Sequence, residues 1–161
     1  MKPRIDYDKA LPTVYKAVMP LEHQVRSSGL EESLLDLVRM RASQLNGCAY
    51  CIDMHSKDAR ARGETEQRLY ELDAWRETPF YSDRERAALA WTEAVTLITE
   101  GHVPDLVFEE VSRHFDEAEL LNLTLAIASI NTWNRLSIAF RAVPGTYQPH
   151  TNAAAAKHGG P

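Results

Sequence analysis

The chain contains two cysteines, Cys48 and Cys51, three residues apart, and a histidine, His55, four residues after the second. A pair this close with no third cysteine cannot belong to a disulfide framework, which leaves redox chemistry or metal binding as its uses. On a helix beginning near Cys48, both sulfurs fall in the first turn. There the unpaired backbone N–H groups and the helix dipole favour a thiolate over a thiol. His55 stands at i+4 from Cys51 and i+7 from Cys48, so one helix face carries all three, but only Cys51 is a single turn from the imidazole. The spacing therefore gives His55 the role of taking the Cys51 proton. Cys48 is then the neighbouring thiol that closes a disulfide once Cys51 has become a sulfenic acid.

Asp36 is a possible fourth member. It lies eleven residues before Gly47 and His55 eight after it, so helices packed antiparallel about that glycine would put them at comparable heights, about 16 and 12 Å from the turn. A carboxylate there, touching the imidazole directly or through a water, would fix its tautomer and raise its basicity. Among Leu34, Leu35, Leu37 and Val38 a carboxylate is conspicuous. Plainer readings stand beside these. The cysteines could be two inert core thiols, and Asp36 could be a solvated helix residue. A zinc ion would find only three ligands in Cys48, Cys51 and His55, one short of a structural site.

The elements that must position these residues read as helix after helix. Pro12 suits a first helical position, and Leu11, Val14, Val18, Leu21 and Val25 recur at helical spacing up to Ser28-Gly29, with Pro20 expected to kink or split that helix. A second helix runs from about Glu31 to Leu45 and stops at Asn46-Gly47. The cysteine helix follows, ending near Arg62-Gly63, then a short helix from about Thr65 to Leu72 and a loop with Pro79. Ser82 with Glu85 and Asp116 with Glu119 offer capping boxes for two later helices. The first of these carries the stripe Ala87, Trp91, Ala94, Val95 and Ile98 and stops at Gly101. Pro104 opens a helix carrying Val107, Val111 and Phe115. From Leu120 to Phe140 apolar residues occupy nearly every side, with Leu121, Leu125, Ala128, Leu136 and Ala139 on one stripe and Leu120, Leu123, Ile127, Ile130 and Ile138 largely on another. One packed layer cannot cover both, so a second subunit or another helix is expected there. Asn131, Asn134 and Arg135 in this helix could line a substrate pocket, although polar residues there more often satisfy a helix end or a subunit contact. Trp91 and Trp133 read as core, and His23, His102 and His114 as surface. No strand alternation and no phosphate-binding glycine pattern is present. The fold expected is all-α, a single-domain helical bundle of about seven helices over residues 1–147, with a flexible tail at 148–161.

A length of 161 residues, 44% of them hydrophobic and 25% charged, is ordinary for one globular domain. A formal charge of −5 and a pI near 5.7 argue against a nucleic-acid partner, which calls for a basic face. No apolar run follows the basic N-terminus and none approaches spanning length, so neither secretion nor a membrane partner is expected. A cytoplasmic location, in which the pair rests as thiols, is the expectation.

The run from Leu35 to His55, with Asp36, Asn46-Gly47-Cys48-Ala49-Tyr50-Cys51 and His55, closely resembles the AhpD-like alkylhydroperoxidases of the carboxymuconolactone decarboxylase superfamily. The resemblance continues through Arg84 to Thr96 and Asn131 to Leu136 and covers roughly residues 5–143. It implies an all-α fold assembled as trimers or hexamers, without metal or organic cofactor. It also implies a thiol peroxidase that reduces hydroperoxides and is recycled by a dithiol reductant or redox protein partner. Carried over, the attacking thiol is Cys51, the resolving thiol Cys48, the activating base His55 and the relay carboxylate Asp36. The family has Glu where this chain has Asp36, one methylene shorter, which withdraws the carboxylate by about 1.5 Å, beyond the tolerance of a preorganised site. The middle pair Ala49-Tyr50 also lacks the histidine of some members. The other class open to such a chain is a non-redox enzyme like the lactone decarboxylases, or an oligomeric scaffold. The cysteine pair discriminates, since the decarboxylase branch lacks it.

Overall fold

Helix α3, Glu32–Asn46, is buried along ten successive residues, Leu34 to Ser43. A helix covered on every side must be the centre of its bundle. In the computed structural model, which describes residues 1–149, α3 packs against the three helices α4 (Ala49–Ala61), α6 (Asp83–Thr96) and α8 (Glu117–Phe140). The remaining helices are α1 (Tyr7–Ala10), α2 (Pro12–Arg26), α5 (Glu66–Tyr70) and α7 (Asp105–Val111), with a 3-10 segment at Leu72–Glu77. The all-α architecture is as expected, and no strand occurs among the described residues. The tail expected from 148 onward lies outside them from His150.

Opposite sides of α3 feed two separate cores. Leu35 and Val38 pack with Ala88, Trp91, Leu123 and Ile127 of α6 and α8. Leu37 and Met40 pack instead with Ala59, Leu72, Trp75 and Leu89, under α4 and the 3-10 segment. At about 1.5–3 kcal/mol per fully buried large side chain, these layers hold α3 in place.

The turn that follows α3 sets the start of the cysteine helix. Gly47 takes a left-handed conformation, φ 66°, and the Cys48 N–H donates to the Ser43 carbonyl at 2.9 Å. This is the Schellman pattern, which an L side chain at Gly47 would strain. Cys48 becomes the N-cap of α4.

Both expected capping boxes are present, Ser82 with Glu85 on α6 and Asp116 with Glu119 on α8. Pro20, expected to kink or split α2, does not split it: the helix runs unbroken from Pro12 to Arg26. Pro20 and Lys16, whose carbonyl loses its helical donor, are both exposed, so water can serve that carbonyl. The helix expected from Thr65 to Leu72 ends at Tyr70 and gives way to the 3-10 segment, whose tighter turn buries Leu72 and Trp75 together at i and i+3. Ile98 lies beyond the end of α6 and is half exposed rather than part of its apolar stripe.

Along α8, Leu120, Leu123, Ile127 and Ile130 are buried, while Leu121 is 73% and Ile138 44% exposed. Of the other stripe Leu121, Ala128 and Ala139 are exposed while Leu125 and Leu136 are partly buried, and Leu106 and Phe108 are exposed on α7. Ile138, eighteen residues and five full turns from Leu120, keeps the face expected of it but lies exposed near the end of the helix.

The asparagines of α8 serve packing. Asn46 Nδ2 donates to the Oδ1 atoms of both Asn131 and Asn134 at 2.9 Å, and Asn134 Nδ2 donates to Ser43 Oγ at 3.1 Å. Asn131 also donates to Thr96 Oγ1, and Arg135 donates to Asn131. Buried polar groups satisfied this fully fix how α8 sits on α3. They do not line the cavity described next.

Candidate active site

Cys48 and Cys51 are joined as a disulfide, with their Cα atoms 5.3 Å apart. Both are buried to within 1% of complete. They differ in what they face. Cys51, in the first turn of α4, lines a cavity of about 310 Å³, and Cys48 does not. His55, one turn further along α4, lines the same cavity. The spacing that linked His55 to Cys51 thus corresponds to a shared open space.

The cavity is closed on its other sides by Met19, Glu22 and Arg26 of α2 and by Trp133 and Ser137 of α8. Tyr147 reaches it from the segment after α8, which returns across α4. There the Gly145 N–H donates to Asp53 Oδ2, Lys57 Nζ donates to the Tyr147 carbonyl, and the Tyr147 hydroxyl donates to Asp58 Oδ1 at 2.7 Å. Tyr7, Tyr15, Tyr50 and Met54 complete a wall part aromatic and part charged.

Asp36 is 1% exposed and does not line the cavity. Its partner is a guanidinium: Arg62 Nε donates to Oδ2 at 2.7 Å and Arg62 Nη2 to Oδ1, with Arg39 Nη1 3.9 Å from Oδ1. His55 Nε2, though buried, has no hydrogen-bond partner. Antiparallel packing of α3 and α4 does bring the C-terminal part of α4 to Asp36, but the group that reaches it is the long side chain of Arg62, which caps that helix. Burial raises the Asp36 pKa, with the Arg62 hydrogen bonds and charge acting against it.

Burial also dominates at His55, whose pKa is pushed down to about 3, with the charges of Arg39, Arg62 and Arg26 adding to the effect. The imidazole is neutral at physiological pH, the state a proton acceptor requires.

Arg39 is the residue that sequence reasoning passed over. Its side chain is 7% exposed, it lines the cavity, and it holds Glu32 at 3.2 Å and Glu22 at 3.6 Å. A signal existed: like Asp36, it interrupts an apolar run on a helix buried on all sides. Glu22, Arg26 and Tyr147 carried no comparable signal. Among the described residues no group of three or more His, Cys, Asp or Glu is placed to hold a metal. No helix there is long and apolar enough to cross a membrane.

A helical bundle with a bonded cysteine pair at the start of one helix and a histidine a turn later defines an AhpD-like class of fold and site. Residues 12–94 match the model of the carboxymuconolactone decarboxylase family, and the chain belongs to that family. It is 46% identical over 139 residues, 86% of its length and 95% of the relative's, to the uncharacterized protein YdfG of Bacillus subtilis. The crystal structure of a protein of unknown function from Agrobacterium tumefaciens, described as an antioxidant-defence protein of the AhpD kind, superposes with a TM-score of 0.88 at 47% identity, covering 91% of this chain and all of that one. The debrominase Bmp8 superposes with a TM-score of 0.75 at 23% identity over 84% of this chain and 73% of its own, a likeness of fold alone.

Proposed function

We propose that the protein is a thiol peroxidase that reduces hydroperoxides at Cys51, without metal or organic cofactor, and is returned to the dithiol by a small dithiol or a redox protein. The observation that carries this reading is the asymmetry of the disulfide: of two buried sulfurs, only Cys51 faces the cavity, and it shares that cavity with a neutral, unpartnered imidazole. In the first step the Cys51 thiol proton passes to His55 Nε2 and the sulfur attacks the terminal oxygen of ROOH. The O–O bond breaks, and Cys51 becomes a sulfenic acid as ROH leaves. The Cys48 sulfur then displaces that hydroxyl as water and forms the disulfide seen here. Asp36 supports the site through Arg62, which it anchors beside the cavity. A non-redox role leaves a bonded pair opening on a cavity without a use.

The exposed Leu121, Leu106 and Phe108 support the further reading that the protein works as a homo-oligomer, a trimer or hexamer. Sedimentation equilibrium checks that reading, with a single species at monomer mass counting against it. For the chemistry, the reduced protein is titrated with cumene hydroperoxide. Loss of two thiols per peroxide, reversed by a dithiol, is expected, and two thiols that survive excess peroxide would refute the reading.

A further inference from the structure

Two buried nitrogens of the cavity wall lack a hydrogen-bond partner, His55 Nε2 and Arg39 Nη2. A buried donor left unpaired costs about 1–3 kcal/mol, more when charged, so it persists where something else uses it. The first is explained by proton transfer from Cys51. The second has no part in the scheme above. Arg39 is not held loosely: Nη1 donates to Glu32 Oε1, and Glu22, itself accepting from Ser129 Oγ and Trp133 Nε1, approaches Nη2 only to 3.6 Å. The guanidinium is anchored through Nη1, while the buried Nη2 makes no hydrogen bond and has only the Glu22 carboxylate, 3.6 Å away, as its ionic neighbour.

The carboxylates around it decide what this N–H is for. Glu22, Glu32 and Asp36 all lie within 4 Å of the Arg39 guanidinium, so its charge is already balanced in the resting site. A ligand that arrived as an anion would meet those carboxylates as well. A neutral hydroperoxide would not, and it becomes negative only at the oxygen that leaves as the O–O bond breaks. A preorganised donor acts most strongly on charge that appears in the transition state.

We infer that Arg39 is a catalytic residue of the peroxide-reducing step, its Nη2 donating to the alkoxide oxygen that leaves as Cys51 attacks. This rests on the peroxidase reading. Cys51 sulfur gains the terminal OH, the O–O electron pair stays on the RO oxygen, Arg39 stabilises that oxygen, and the proton taken by His55 neutralises it to ROH. Electrons and atoms balance as RSH + ROOH → RSOH + ROH, with the dithiol reductant restoring the pair afterwards.

The test varies the basicity of the leaving group. Rates of Cys51 oxidation are measured for the wild-type protein, Arg39→Gln and Arg39→Lys with cumene hydroperoxide, which expels a strongly basic alkoxide, and with peracetic acid, which expels acetate. Loss of one such donor costs about 100- to 1000-fold where charge develops fully. We expect that loss for Arg39→Gln with cumene hydroperoxide and less than about tenfold with peracetic acid, with Arg39→Lys showing the same selectivity more weakly. The lysine variant keeps the charge that Glu22 and Glu32 require and decides the matter if Arg39→Gln does not fold. An equal loss with both oxidants, or no loss, would overturn the inference and leave Arg39 as a structural ion or a setter of the thiolate. A wild-type protein inert to both would instead defeat the peroxidase reading itself.

Discussion

Arg39 and Arg41 stand two residues apart on α3, both buried, with side chains 7% and 9% exposed, and they have opposite fates. Arg41 points toward α6 and the 3-10 segment. Its Nε donates to Glu93 at 2.8 Å and its Nη1 to Gln44 and Asp73, while Glu93 also accepts from Trp75 Nε1 and Arg76. That network is closed. Arg39 points toward α2 and the cavity, with one nitrogen bonded and another waiting. Both sides bury charge on the same helix, but one uses it to join elements and the other leaves part of its hydrogen-bonding capacity unspent. Of the two, only Arg39 keeps a buried nitrogen without a hydrogen bond, and only Arg39 lines the cavity.

A large effect is expected on the open side. His55→Ala should lower the rate of Cys51 oxidation by cumene hydroperoxide at neutral pH by about 100-fold, the contribution of a positioned proton acceptor, and slow Cys51 alkylation in parallel. Stopped-flow measurement checks it. A rate indifferent to His55 would erase the functional half of the contrast.

Acid stability comes next. The folded imidazole protonates near 3 in the disulfide form, against an ordinary value of 6.5. Between those values the unfolded chain binds more protons, so stability is complete above about pH 6.5 and falls as pH drops toward 3, by a few kcal/mol at most. Asp36, with its raised pKa, acts in the opposite sense and is common to both proteins of the comparison. Urea melts of the oxidised protein at pH 7 and pH 4.5 should therefore show a larger difference for wild type than for His55→Asn.

On the closed side, Arg41→Met should cost about 2 kcal/mol, by loss of charged hydrogen bonds from Glu93 and Asp73, while Cys51 alkylation in the reduced protein stays within about twofold. A large change in alkylation with little loss of stability would reverse the two roles. The smallest effect is expected at the turn between α3 and α4. Gly47→Ala meets no atoms within 4 Å but must hold φ near 66°, a cost of about 1 kcal/mol, read as a shift of the urea midpoint.

What the sequence revealed divides along the same line. Residues acting within one helix were legible: Cys48, Cys51 and His55 follow from a 3.6-residue period, and the two capping boxes from local pairs. Asp36 was found as a misplaced charge in an apolar run, yet its partner Arg62 was not, because which group of α4 meets it depends on side-chain reach across two helices. Arg39 was passed over although the same signal marked it. The cavity wall from α2 and from Tyr147 is a product of tertiary packing between segments 89 to 111 residues apart, and no periodicity records that.

The central claim is that Cys51, and not its disulfide partner, meets the peroxide. Cys48→Ser and Cys51→Ser are each reduced, exposed to one equivalent of cumene hydroperoxide and treated with a dimedone-type reagent, and the labelled residue is read by peptide mass. A sulfenic acid trapped at Cys51 in Cys48→Ser, with no peroxide consumed by Cys51→Ser, is the predicted result. Label at Cys48 in Cys51→Ser, with peroxide consumption retained, would contradict the account.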